Sequence, residues 1–295
     1  MELLGHMRPA TVVAILLAAG LLAPPAALSA ARPSGTYAGT TSQDNPVVIQ
    51  LSRDRKRVTR LAIHWDAKCQ SGDQLPLGFV VDTSARPTPE PVSEKPYVPV
   101  AKNGRFKGTA ARVRPLSGGA RVGTLIQDFA GKVGKASAAG TWSAVLAVVD
   151  VQTGQKVDEC STGAVRWTAP KPQNLYYGGT TSKGEPVVVQ LSRNRRSVGA
   201  FRIGWSADCT PDGFFSIGDA LANFRLSRSG GFKDTFPQTY TRPDGSKNKF
   251  DYELAGRVGR SKASGTFHAR VTEIASAGTT TSTCDSPRLT WTAKQ

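Results

Sequence analysis

The chain has 295 residues, a formal net charge of +16, and 38 lysines and arginines against 22 aspartates and glutamates. This length provides for two domains of ordinary size, and beyond the first thirty residues no apolar run is long enough to cross a membrane. Only three histidines and four cysteines are present, which disfavours a histidine-based metal centre or a serine-histidine triad within one domain.

Residues 1–31 have the order of a secretory signal peptide. Arg8 gives a positive flank, and residues 11–22 (TVVAILLAAGLL) form an apolar core that is followed by prolines and small residues. This order predicts export, with cleavage after Ala30 or Ala31. An uncleaved membrane anchor is the alternative, but the apolar core is shorter than the roughly 20 residues that span a bilayer. The mature chain is therefore predicted to be extracellular, either free or associated with the cell envelope, with no transmembrane segment.

The mature sequence contains an internal repeat. Residues 37–69 read YAGTTSQDNPVVIQLSRDRKRVTRLAIHWDAKC, and residues 177–209 read YGGTTSKGEPVVVQLSRNRRSVGAFRIGWSADC, at an offset of 140 positions (177 − 37) without a gap. Such a repeat predicts two copies of one domain. We place copy one at residues 34–169 and copy two at residues 175–293. The linker at 170–174 bears prolines and is expected to be stiff.

Apolar and polar residues alternate throughout both copies. Positions 47, 49 and 51, and then 61, 63 and 65, are apolar, and so are their counterparts in copy two. A period of two predicts half-buried antiparallel strands. About eight such strands per copy predict an all-β fold, with one small antiparallel barrel or two-sheet sandwich in each copy. Sequential hairpins and glycines within strands favour the closed barrel.

Each copy carries two cysteines in matching places. In an exported chain, such an even number predicts one disulfide per domain, which would join the end of an early strand to the last strand. A metal site is the alternative, but there is no Cys-x-x-Cys pair and no histidine at ligand spacing. No metal and no cofactor is expected. The predicted pairs are Cys69 with Cys160 and Cys209 with Cys284.

The densest basic cluster follows the Val-x-x-Gln-Leu-Ser strand of each copy. Arginine presents a planar fork that binds phosphate or carboxylate groups bidentately, so these turns predict a polyanion-binding surface. The alternative is a solvated turn that keeps an exported protein soluble and protects strand edges. The candidate residues are Arg53, Arg55, Lys56, Arg57, Arg193, Arg195 and Arg196.

The two copies share no catalytic set, and we predict no catalytic residues. His64 aligns with Gly204 and His268 with Ser143, and both histidines occupy outward positions of their strands, which predicts surface histidines. Sequence-specific recognition of nucleic acid is disfavoured, because the tryptophans lie at inward positions instead of alternating with the basic residues.

Two further segments leave alternatives open. Residues 85–99 are rich in proline and occur only in copy one, so they are expected to form an exposed loop, with a recognition arm as the alternative. The shared Tyr-x-Gly-Thr-Thr-Ser stretches begin at Tyr37 and Tyr177. They are typical of a strand end and turn, although their hydroxyls could also orient a small ligand at a barrel mouth.

The order of motifs in each copy resembles an all-β module of exported bacterial proteins. The motifs are, in order, Tyr-x-Gly-x-Thr-Ser, Pro-Val-x-x-x-Leu-Ser, Ile-x-Trp-x-Ala-x-Cys, Gly-x-Val-Gly, Gly-Thr-Trp/Phe, Cys and Trp-Thr-Ala. The resemblance covers nearly all of both copies and is most distinctive from the tyrosine to the first cysteine. It implies a tandem, exported β-protein and no particular activity. The Gly-Thr-Trp/Phe hairpins are also similar in style to avidin-like and lipocalin-like barrels, without a ligand motif of either family.

These observations predict a secreted, non-enzymatic protein that binds anionic extracellular or cell-envelope polymers through its basic turns. Duplication would raise the avidity for a repetitive polymer. The alternatives are a small apolar ligand bound inside each barrel near Trp65 and Trp205, and an enzyme with an unrecognised site.

Overall fold

The computed structural model describes residues 35–72, 74–82, 98–116, 120–211, 213–242 and 244–295. The predicted signal peptide lies outside the described residues, and so does the proline-rich segment except for its last two residues. Every regular element is a β-strand. No helix among the described residues has the length and apolar character needed to span a membrane.

The described residues of copy one form ten strands, against the about eight that the sequence predicted. The strands are β1 (Gly35–Thr41), β2 (Pro46–Leu51), β3 (Arg57–Cys69), β4 (Gln74–Asp82), β5 (Val98–Pro99), β6 (Arg105–Leu116), β7 (Arg121–Val133), β8 (Ser137–Asp150), β9 (Lys156–Ser161) and β10 (Val165–Pro170).

Copy two repeats the same ten strands. They are β11 (Tyr176–Thr181), β12 (Pro186–Leu191), β13 (Ser197–Thr210), β14 (Phe214–Leu221), β15 (Phe224–Arg225), β16 (Gly231–Thr241), β17 (Lys247–Val258), β18 (Lys262–Ile274), β19 (Thr280–Asp285) and β20 (Leu289–Lys294).

Each copy forms a closed six-stranded antiparallel barrel, as the sequence favoured. In copy one the order is β10-β1-β2-β3-β9-β8, and the ring closes because β8 also pairs with β10, with Trp142 opposite Val165. Strands β7 and β6 continue the sheet from β8, and β4 and β5 pair with β3. Copy two has the equivalent ring β20-β11-β12-β13-β19-β18.

The inward positions of the predicted alternation form the two cores. Ile49, Ile63 and Trp65 are at most 1% exposed, and all five tryptophans are buried. Their indoles need space next to the backbone: a methyl group at Gly140 would overlap the Trp167 ring and the carbonyl of Ala130. The sequence correctly predicted which face of these strands is buried, because parity along a strand determines its face.

The predicted disulfides are both present. Cys69 is bonded to Cys160 and Cys209 to Cys284. In each copy the two cysteines are directly opposite one another on neighbouring strands, β3 and β9 or β13 and β19. The second cysteine precedes the last strand, as its place in the sequence indicated, but the bond joins β3 to β9 and β13 to β19 and does not reach the last strand itself. Two disulfides indicate a protein that folds in an oxidising compartment outside the cytoplasm.

The two barrels pack through the outward faces of equivalent strands. The contacting pairs are one repeat apart in sequence: Val48 clusters with Val188, and a methyl group at Gly178 would overlap the side chain of Ala38. His64 lies against Gly204 in the same way. Contacts between equivalent residues are the mark of an isologous interface, so the copies are related by an approximate two-fold axis.

This axis fixes where the ends of the barrels lie. The self-contacting pairs lie on β1, β2 and β3 and on their counterparts, so the axis crosses the strands within the interface. Rotation about such an axis reverses strand direction. Accordingly, Asp44, at the β1–β2 turn, forms an ion pair of 2.8 Å with Arg202 of β13, and Arg60 of β3 donates to Thr180 of β11 at 3.0 Å. The β2–β3 and β12–β13 turns therefore point in opposite directions.

Candidate polyanion-binding rims and the cleft between the copies

The predicted basic turns have the same local structure in both copies. Ser52 Oγ accepts from the Arg57 amide at 3.2 Å and donates to Asp54 at 2.5 Å. Ser192 makes the matching bonds with Ser197 and Asn194. The serine and the Asp or Asn two residues later thus satisfy the backbone of a tight turn. The hydrogen bond from Ser52 is the main cause that lowers the pKa of Asp54.

Two of the candidate arginines have a structural role. Arg55 adopts φ 59° and Arg195 φ 57°, which is the left-handed backbone region. The Arg55 guanidinium donates to the Tyr37 hydroxyl at 2.5 Å and to the Gly134 carbonyl at 3.2 Å. Arg195 donates to the Asn174 carbonyl at 3.1 Å. These two residues tie the turns to the barrel, while the other five candidates are exposed and do not have this anchoring role.

Three turns meet at the same end of copy one. The Val100 amide donates to the Lys56 carbonyl at 2.8 Å, which joins the β5–β6 turn to the β2–β3 turn. The Val133 amide donates to the Gly104 carbonyl at 2.9 Å, which joins the β7–β8 turn to the β5–β6 turn. We call residues 52–57, 100–105 and 132–137 together the basic rim of copy one.

Copy two has the same arrangement. The Leu226 amide donates to the Arg196 carbonyl at 2.8 Å, and the Val258 amide donates to the Gly230 carbonyl at 2.9 Å. The Arg257 side chain adds a bond of 3.0 Å to the Ser229 carbonyl. The basic rim of copy two comprises residues 192–197, 225–231 and 257–262.

The positive charge of the protein is concentrated on these rims. Copy one's rim has eight basic side chains and one acidic side chain, Asp54, and copy two's rim has eight basic side chains and none that is acidic. All sixteen basic side chains are exposed, and none of them takes part in an ion pair between described residues.

Sequence reasoning found only the first turn of each rim. It missed nine rim residues, because they are separated from that turn in sequence by entire strands. A signal was present, however, since Lys135 and Arg260 follow equivalent Val-Gly pairs in the two copies. The missed residues are Lys102, Arg105, Lys132, Lys135, Arg225, Arg228, Arg257, Arg260 and Lys262.

A cleft of about 520 Å³ lies between the two copies. Copy one contributes Thr36 and Gln50 from β1 and β2. Copy two contributes β11 and β20, and the connection between the copies contributes Lys171. Its lining residues include two lysines, Lys171 and Lys294, and no aspartate or glutamate.

The prediction that His64 is a surface histidine was wrong. Its side chain points out of barrel one, as strand parity required, but that face is covered by copy two and the residue is 0% exposed. The ring lies against the backbones of Gly78 and Gly204, and the His64 Cβ lies near Gly218. Neither ring nitrogen has a hydrogen-bond partner among the described residues, and Nε2 is 3.6 Å from a Glu185 carboxylate oxygen. His268, in contrast, is partly exposed and contacts Asp285 at 2.7 Å.

Sequence reasoning also missed a carboxylate that points into barrel two. Asp219 lies opposite Ile203 in the β13–β14 pair and therefore shares its inward face. The Trp205 Nε1–H donates to Asp219 at 2.5 Å, and the Tyr252 hydroxyl forms a second hydrogen bond with it. Burial raises the pKa of Asp219 to about 6. The sequence carried a signal for this inward position, because Asp219 falls in step with the apolar residues Phe215, Ile217 and Leu221.

The tryptophans considered for a small apolar ligand are packed into the cores. Trp205 is 0% exposed and contacts Phe215, Tyr252 and Phe267, with ring centroids 5.5–6.5 Å apart. Trp65 is 1% exposed. Neither residue lines the cleft between the copies or the second cavity, of about 410 Å³, beside Lys107 and Phe129.

Comparison with protein-family models, with curated proteins and with solved structures found no match. The rims, the cleft and the arrangement of the two copies are therefore the features that bear on function.

Proposed function

We propose that the protein is a secreted, non-enzymatic binder of anionic extracellular or cell-envelope polymers, and that it holds them at its two basic rims. The observation that carries this proposal is the accumulation of eight exposed basic side chains against at most one acid at one end of each barrel. A surface of one sign attracts and concentrates polymers of the opposite sign.

The composition of the rims favours charge recognition over base reading. Reading of single-stranded nucleic acid uses exposed aromatic side chains on which the bases stack, whereas all five tryptophans are buried in the barrel cores. The backbone of the turns that carry these arginines is ordered by hydrogen bonds before binding, which lowers the entropy that is lost when a polymer docks.

The approximate two-fold axis gives the proposal a second component. Since the two rims face opposite directions, a short polymer segment engages one rim at a time. A single protein molecule can then join two polymer chains, or two distant segments of one chain, and the two weak contacts act together through avidity.

Retention and bridging should be measured separately. The mature protein is passed over immobilised polygalacturonate and double-stranded DNA at about 0.15 M salt, and turbidity of the free polymers reports bridging. The variants are Arg53→Glu with Lys135→Glu for copy one and Arg193→Glu with Arg260→Glu for copy two. Either pair should weaken retention and abolish turbidity, whereas the four substitutions together should abolish both.

The matched control changes four exposed cations outside the rims: Lys107, Arg166, Lys233 and Lys247. It alters net charge as much as the four rim substitutions do. If the control loses retention to the same extent, the interaction depends on net charge alone and the rims are not the binding sites. Retention by the variant with all four rim substitutions would refute the proposal.

A further inference from the structure

The cleft between the copies has a counterpart on the other side of the approximate two-fold axis, and the two are not alike. Thr36 in the cleft corresponds to Tyr176 in the counterpart, because the repeats are offset by 140 positions (176 − 36). The Tyr176 side chain packs against Ala38, Val48 and Val188, and burial raises its pKa to about 12. Tyr176 thus occupies the space that the short Thr36 side chain leaves open.

The charged lining is also specific to the open cleft. Lys294, at the end of β20, corresponds to Pro170 at the end of β10. Lys171 and Lys294 are both exposed, and neither takes part in an ion pair between described residues. The cleft therefore presents two lysine ammonium groups, and no aspartate or glutamate side chain lines it.

The remaining side chains of the cleft are hydroxyls and amides. They are the side chains of Thr36, Thr180, Thr292, Gln50 and Gln295. Hydroxyls and amides both donate and accept hydrogen bonds, as sugar hydroxyl groups require. The volume of about 520 Å³ lies within the range of small-molecule sites and exceeds what one bound ion needs.

We infer that the cleft between the copies binds an anionic saccharide, with Lys171 and Lys294 facing its carboxylate or phosphate and the threonines and glutamines facing its hydroxyl groups. This site is separate from the rims and does not depend on them. A lysine ammonium is a point charge that binds a carboxylate or a phosphate, so the experiment compares a saccharide carboxylate with a saccharide phosphate.

The decisive variant copies into the cleft the residue that copy two has at the equivalent position. Thr36→Tyr reproduces the residue that fills the counterpart, so it should close the cleft with a side chain that this interface already accommodates. A second variant, Lys171→Ala with Lys294→Ala, leaves the cleft open and removes its charge. The control, Lys233→Ala with Lys247→Ala, removes the same charge from an exposed surface of copy two.

Binding of trigalacturonate, a hexose 6-phosphate and neutral maltotriose is measured by titration calorimetry. Trigalacturonate or the sugar phosphate should bind the native protein, and maltotriose should bind at least about tenfold more weakly, a difference of about 1.4 kcal/mol. Thr36→Tyr and the double-lysine variant should each weaken binding about tenfold or more, while the control should match the native protein. The carboxylate and phosphate probes together identify the preferred anion.

The rim variants separate this inference from the proposed function. Charge reversal at both rims should leave binding of the short saccharide in place even though polymer retention is lost. The inference is overturned if neither anionic probe binds, if maltotriose binds equally well, or if the folded Thr36→Tyr and double-lysine variants both bind like the native protein. If the rim variant loses binding of the short saccharide and the cleft variants keep it, the saccharide binds at the rims and the cleft site is overturned.

Discussion

Replacing Gly204 with alanine tests the arrangement of the two copies directly. The added methyl group would overlap the His64 ring and lie 2.9 Å from Pro186 Cδ. The ring has little room to move, because it also packs against Gly78, where an added methyl group would lie 2.4 Å from two ring atoms. Overpacking of this kind costs about 1–3 kcal/mol, so we expect Gly204→Ala to lower the free energy of unfolding by that amount.

A double-mutant cycle tests whether overlap with the His64 ring causes the loss of stability in Gly204→Ala. His64→Ala removes the ring from a fully buried position and leaves a cavity, but it also removes two ring nitrogens that lack hydrogen-bond partners among the described residues. In this background the overlap of the alanine at position 204 with the imidazole ring is removed, and only the contact with Pro186 remains. The double variant should therefore be more stable, by about 1–2 kcal/mol, than the sum of the two single costs.

The assay is guanidinium denaturation followed by fluorescence of the five buried tryptophans. The matched control is Gly199→Ala on the same strand, where the new methyl group would come no closer than 3.5 Å to the nearest atom, the Ser192 amide nitrogen. It should change stability by less than about 0.5 kcal/mol. Strictly additive costs of Gly204→Ala and His64→Ala would show that the two residues do not meet, and would refute the proposed packing of the copies.

Two further predictions concern stability. The pKa of Asp219 is raised to about 6 from 3.8, so the folded state retains a proton that the unfolded state has lost. Stability should fall by up to about 3 kcal/mol as the pH rises from about 4 to about 6. Asp219→Asn should remove this slope in urea denaturation; an unchanged slope would contradict the assignment. Separately, replacing Cys209 and Cys284 with serine opens a connection between residues 75 positions apart and should cost about 4 kcal/mol in thermal unfolding; an unchanged Tm would contradict the loop-entropy argument.

The sequence was informative wherever a property is set by neighbouring residues. Alternation along the strands predicted the buried face, and matching cysteine positions predicted both disulfides. The serine-centred turns also follow from local residue types, because their hydrogen bonds join residues at most five positions apart. The local pattern predicted that the Arg55 side chain is available to a polymer, whereas it is bound to Tyr37 and Gly134. Its partners lie in other strands, and no local pattern identifies them.

The burial of outward-pointing side chains could not be predicted from the alternation along the strands. Strand parity predicts only that a side chain points out of the barrel. It does not distinguish a side chain that is exposed to solvent from one that is covered by a second barrel. His64 and Val48 both point outward and both are 0% exposed. For His64, the small residues opposite it, Gly204 and Gly218, were the available sign, because a β-strand with glycine on its outer face lets another surface approach closely.

The two-fold arrangement also explains why differences between the copies carry information. In a dimer of identical chains, a residue on the axis meets itself, so a histidine at position 64 would face a second histidine. In the tandem chain it faces Gly204, and the ring fits beside the glycine backbone. In the same way, a Thr36 in both copies would open two clefts and a tyrosine in both would close two. Fusion of the copies permits one open cleft with two lysines and one closed by Tyr176, an asymmetry that a symmetric dimer cannot have.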